Sequence, residues 1–134
     1  MFKIDRSIIA SMLIAGLFGY LCGPAEAGVR IEGQVQGGGA PIANSTVTLW
    51  EASAGAPRQL GQAKTDRDGR YEVRSDGAGN GAILYLIAAG GQAKAKPGSA
   101  DNPGIVLLSV LGNDPPEKVV VNELTTVASA YTAA

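Results

Sequence analysis

The stretch "GVRIEGQVQ", residues 28–36, sets Val29, Ile31, Gly33 and Val35 against Arg30, Glu32, Gln34 and Gln36. A period of two is the pattern of a strand with one face on a core and the other in water, and a helix does not satisfy it. Similar short runs follow at "TVTLWEA" from residue 46, at 60–66, 70–74, 82–89, 105–111 and 118–122. Glycine, proline, asparagine and aspartate separate them, which is turn chemistry. Seven short strands punctuated in this way predict an all-β, Ig-like β-sandwich over residues 28–122. The run "AILYLIAA", 82–89, is apolar at nearly every position, as expected of a central strand covered on both faces or lying at a subunit contact.

Both ends of the chain break the pattern. Lys3 and Arg6 precede an apolar run from Ile8 to Leu21, followed by Gly23, Pro24 and the small-x-small triplet Ala25-Glu26-Ala27. That order predicts a secretory signal peptide over 1–27, helical in its apolar part and cleaved after Ala27, too short for a stable membrane span. Cys22 follows bulky Leu21, which disfavours lipidation, and it leaves with the leader. At the other end Leu124, Val127, Ala128 and Tyr131 fall on one helical stripe, with Asn122 placed to cap it. A short helix or linker over 123–134 is therefore expected, and its missing stop signal suggests the N-terminal part of a longer secreted, periplasmic or surface protein.

Composition narrows function. The chain has no histidine, which removes the commonest general base and a common zinc ligand. After cleavage there is no cysteine to form a disulfide. The net charge is −1, and removal of Lys3, Arg6, Asp5 and Glu26 takes two charges of each sign, so nothing favours nucleic acid or an anionic membrane. No enzyme activity, metal or cofactor is expected.

"TDRDGRYEV", 65–73, offers the best candidates for reactive groups. Counted as a calcium loop from Asp66, it supplies acids at positions 1 and 3 but Arg70 at 5, Tyr71 at 6 and Gly77 at 12, so only two positions fit. A catalytic carboxylate pair needs a desolvated pocket, which a turn tip lacks. The structural reading makes Asp66, Asp68 and Gly69 a turn: a three-residue loop Arg67-Asp68-Gly69, with Gly69 left-handed. It predicts a hairpin with Thr65 opposite Tyr71 and Ala63 opposite Val73 inside, and Lys64 opposite Glu72 and Asp66 opposite Arg70 outside. Elsewhere, Trp50 falls on the face opposite Val47 and Leu49, either as a platform for a sugar or partner, or covering a strand edge, or packed under the terminal helix. Tyr71 and Tyr85 read as core-facing, and Lys94 and Lys96 as a solvated loop.

Gly33-x-Val35, Pro41, Ser45 to Leu49 and the Thr65 to Tyr71 turn together resemble the carboxypeptidase regulatory-like, or transthyretin-like, β-sandwich, and are similar to the B-type repeats of collagen adhesins. The resemblance implies a seven-stranded, prealbumin-like sandwich without catalytic residues, serving other domains or surface proteins. Some B-type repeats carry a lysine–asparagine crosslink; Asn122 and Glu72 stand at suitable places, but the first strand has Arg30 where a lysine is needed. The expected function is a non-catalytic structural or interaction module of an exported bacterial protein, the alternative being a carbohydrate-binding module that uses Trp50.

Overall fold

The computed structural model describes residues 28–93 and 100–132. The leader, its cleavage site, Cys22, Lys94 and Lys96 lie outside the described residues. Strand β1 (Val29–Gly37) is followed by β2 (Ala40–Ala43), β3 (Thr46–Glu51), β4 (Arg58–Lys64), β5 (Arg70–Ser75), β6 (Leu84–Ala89), β7 (Gln92–Ala93), β8 (Val106–Gly112) and β9 (Lys118–Val121), and then by helix α1 (Glu123–Thr132). The described strands thus number nine and not seven. The additions, β2 and β7, are short and fall in segments that read as loops. Gly38 and Gly39, both at positive φ, close the two-residue β1–β2 hairpin, a geometry in which glycine pays no Cβ penalty.

Two sheets form the sandwich. In the first, β1 pairs antiparallel with β5 on one side and, on the other, parallel with β9 and antiparallel with β2, which continues to β7. The second runs β4-β3-β6-β8, all antiparallel. Inward alternation supplies the core: Ile31, Val35, Val73 and Val121 from the first sheet meet Val47, Leu49, Leu84, Leu86 and Ala88 from the second. Each fully buried valine, leucine or isoleucine among these contributes about 1.5–3 kcal/mol relative to exposure.

The hairpin expected around residues 65–70 is not a hairpin of one sheet. β4 pairs with β3 and β5 pairs with β1, so the turn carries the chain from one sheet to the other. The predicted Asp66–Arg70 pair next to the turn stays together, Asp66 N–H donating to Arg70 C=O at 2.9 Å, while the partners predicted beyond it belong to different sheets. Glu72 meets Arg30 at 2.8 Å and Arg74 at 2.5 Å, not Lys64, and Asp66 bonds the Arg70 backbone, not its guanidinium. Long-range pairing with β1 along Val29–Gln34 replaces the local ladder.

Helix α1 protects an edge. The outward N–H groups of Leu108 and Val110, on edge strand β8, donate to the hydroxyls of Thr126 and Ser129, both at 2.9 Å. An open edge would otherwise offer itself to another strand. The face of α1 that meets the domain is thus polar, while Leu124, Val127 and Tyr131 are 77%, 56% and 81% exposed. The helix starts where Asn122 Oδ1 accepts the Thr125 N–H at 3.0 Å and Thr125 Oγ1 accepts the Asn122 N–H at 2.9 Å, a reciprocal capping box. Asn122→Ala is expected to cost about 1 kcal/mol in a urea melt, with helix signal lost before the sheets unfold.

Candidate functional site

Trp50 stands on β3 opposite Gln59 of β4 and Tyr85 of β6, with Val110 of β8 beyond Tyr85. The next row of the same outer face is Gln62, Thr48, Ile87 and Leu108. Thr48 Oγ1 accepts from the Gln62 amide at 3.2 Å. Trp50, Tyr85, Ile87, Leu108 and Val110 are all half-buried, so this face is an aromatic and aliphatic surface with the Gln59 and Gln62 amides along its β4 side. Strand parity puts Tyr85 here and not in the core, correcting the sequence reading. Nor does Trp50 lie beneath α1, which runs along β8 with β6 intervening between β8 and β3.

The acidic turn uses its groups differently. Gly69 N–H donates to Asp66 C=O at 3.0 Å and Asp66 N–H to Arg70 C=O at 2.9 Å, with Gly69 at φ +72°. Asp66 Oδ1 accepts the N–H groups of Asp68 and Arg70 at 2.8 and 2.9 Å. The Asp68 side chain is exposed, and its carbonyl accepts the Gln34 amide at 2.6 Å. Gly69 C=O accepts the Val35 N–H at 2.8 Å, which docks the turn against β1. A Cβ on Gly69 would lie 2.6 Å from the Val35 carbonyl oxygen and 3.0 Å from the Ile42 nitrogen. Gly69→Ala combines this crowding with a left-handed φ, and a loss of about 2 kcal/mol in denaturant unfolding is expected.

Three glutamates have their carboxyls held below the usual range. A hydrogen bond from the Gly79 N–H, and then Arg58 at 2.9 Å, keep the Glu51 carboxyl below its usual range. Arg30 and then Arg74 do the same for Glu72, and the Gly38 N–H followed by its own N–H does so for Glu123. Burial acts the other way on the Tyr71 phenol, pushing its pKa up; its hydroxyl donates to the Val119 carbonyl at 2.8 Å. Among the described residues no three of the acids and thiols converge as a metal cluster would require.

These elements define a two-sheet β-sandwich with one terminal helix and an aromatic sheet face. No family model matches the chain, and no curated protein matches it. Among solved structures, a 9R-lipoxygenase from Cyanothece PCC8801 is similar at 18% identity and a TM-score of 0.48, over 83% of this chain and 19% of the lipoxygenase chain. No described helix is long and apolar enough to cross a membrane.

Proposed function

We propose that the chain is a non-catalytic structural and interaction module of an exported protein, of the carboxypeptidase regulatory-like or transthyretin-like kind. What carries this reading is the use of its acids. Asp66 spends one oxygen on two backbone N–H groups, and arginines or backbone donors hold the carboxyls of Glu51, Glu72 and Glu123 below the usual range. General acid catalysis asks for the reverse, a desolvated carboxyl whose proton is retained near neutrality. The leader pattern supports export, and residues 28–122 form the unit that would be presented to partners. Incubated with ester, peptide and glycoside substrates, the full chain is expected to give only background turnover. Hydrolysis that disappears in Glu72→Gln would overturn the reading.

The Trp50 face favours a second reading, binding of a neutral carbohydrate. Trp50 and its cross-strand neighbour Tyr85 are both half-buried, with the Gln59 and Gln62 amides at the border. Aromatic rings cover the apolar C–H face of a sugar while amides meet its hydroxyls. Trp50 is the only tryptophan, so its fluorescence reports on this face alone. Titration with neutral oligosaccharides should shift that emission; an unchanged spectrum across a broad panel removes this second reading and leaves the first intact.

A further inference from the structure

The outer face of the first sheet carries an open groove of about 850 Å³ where β5, β1 and β9 lie side by side. Strand register arranges its lining in rows. Glu72, Glu32 and Lys118 form one, and Arg70, Gln34 and Val120 the next; Lys64 and Asp66 border them from the sheet-crossing segment. The acids here have intramolecular partners. Glu72 and Glu32 share Arg30, Glu72 also takes Arg74, and one oxygen of Asp66 holds the turn.

The cations of the groove are not so occupied. Arg30, Arg58 and Arg74 have carboxylate partners, which leaves Lys64, Arg67, Arg70 and Lys118 without one among the described residues. Three of those four line this groove. Lys64 Nζ donates to the Asn44 amide oxygen at 3.4 Å. An exposed cation without an ion pair is ordinary; three lining one groove, beside three carboxylates already engaged within the fold, offer charge-assisted donors to an anionic ligand.

We infer that this groove binds an acidic polysaccharide, its sugar carboxylates meeting Arg70, Lys118 and Lys64 and its hydroxyls donating to the free oxygens of Glu32 and Asp66. A guanidinium can take a carboxylate in bidentate fashion, and a carboxylate accepts up to about four hydrogen bonds, so both kinds of group have capacity to spare. The mixed lining selects the ligand. The intervening carboxylates accept but do not donate, so a ligand whose polar groups are nearly all substituted as anions leaves them unpaired, whereas a uronic acid carries one anion and free hydroxyl donors on one rigid ring. Lys118 and Glu32 are register partners, about 4.8 Å apart at the backbone, and Arg70 and Glu72 are two residues apart on one strand, about 6.8 Å. An acidic peptide offers its carboxylates on flexible stems and must lose that freedom on binding.

The site lies on the opposite sheet from Trp50 and depends on neither reading of that residue; it goes beyond the module proposal by naming a ligand class. The test is calorimetric titration of the full chain with oligogalacturonate, beside neutral dextran oligomers, dextran sulfate and poly-glutamate. Oligogalacturonate is expected to bind at least about tenfold tighter than the other three and to weaken as salt rises from about 20 to 200 mM. The combined Lys64→Gln, Arg70→Gln and Lys118→Gln variant should lose about tenfold or more in affinity with an unchanged melting temperature, since among the described residues none of the three side chains has an ion pair to lose. Trp50→Ala should bind as before. If the triple variant does not fold, Arg70→Gln and Lys118→Gln are each expected to weaken binding singly. No binding, undiminished binding by the charge variants, or equal affinity for poly-glutamate or dextran sulfate would overturn the inference. Substrate hydrolysis, by contrast, would bear on the non-catalytic reading alone.

Discussion

Replacing Gly33 by alanine is expected to remove about 3–5 kcal/mol of stability, a large part of what a domain of this size has. Gly33 lies mid-strand on β1, in register with Tyr71 of β5 on one side and Val119 of β9 on the other. Its φ is not in the positive range, so conformational freedom is not why glycine stands there. Space is. A Cβ built on Gly33 would fall on the Val119 carbonyl oxygen, far inside the roughly 3.3 Å at which carbon and oxygen touch.

That carbonyl accepts the buried Tyr71 hydroxyl at 2.8 Å. β5 and β9 flank β1, about 9.6 Å apart across it, so the tyrosine side chain has to cross Gly33 to make the bond. Alanine would therefore push β9 from β1 and leave the hydroxyl or the carbonyl unpaired in the core, which costs about 1–3 kcal/mol beyond the overpacking. Chemical denaturation of Gly33→Ala beside Tyr71→Phe separates the two effects, with the phenylalanine variant losing about 1–2 kcal/mol. A loss below about 1 kcal/mol for Gly33→Ala would show that β9 moves freely and that the close approach has little weight. Gly38→Ala is the control, because a Cβ there meets no atom within 4 Å and only its φ of +60° opposes alanine, at about 1–2 kcal/mol.

The glycine and tyrosine of this arrangement are visible in the sequence as two separate signals, the alternation of "GVRIEGQVQ" and the tyrosine after "TDRDGR". Their contact is not visible, because it depends on β9 pairing parallel to β1, and nothing local in "KVVVN" specifies a partner. The same division runs through the fold. Period-two patterning locates β1, β3, β5 and β9, and turn chemistry places Gly69. It does not reveal that β4 and β5 part into different sheets, since a turn constrains its own few residues and leaves strand partners to long-range packing. β2 escapes detection because four residues with Pro41 among them carry too short a pattern, although Ile42 is 1% exposed. Periodicity marks α1 but not its bound face: the edge N–H groups of β8 need acceptors, and Thr126 and Ser129 supply them, so Leu124, Val127 and Tyr131 are left outside. The anion groove is the least legible feature, for Lys64, Arg70 and Lys118 come from separated segments that only the sheet brings together.

Thr65→Val should cost about 2–4 kcal/mol, although it preserves volume and adds apolar surface. Thr65 leaves the end of β4 at the point where the chain crosses between sheets, and it is buried at 6% exposure. Its backbone pairs with the 44–45 turn, N–H to Ser45 C=O at 2.9 Å and C=O from Asn44 N–H at 3.2 Å. Its hydroxyl does two further things at once. It accepts the Ser45 N–H at 2.8 Å and donates to the Ile42 carbonyl at 2.7 Å. Valine keeps the shape and the β-branch but strands both backbone groups away from water, and each buried orphan costs about 1–3 kcal/mol. Thr65→Ser makes the complementary measurement: it keeps both bonds, gives up one methyl group, and should lose only about 1 kcal/mol. The order serine above valine is what distinguishes a hydrogen-bonding hub from a packing position, since apolar burial alone predicts the opposite order. Urea melts that rank Thr65→Val above Thr65→Ser would mean that Ser45 and Ile42 find other partners and that the crossing is held by its backbone bonds.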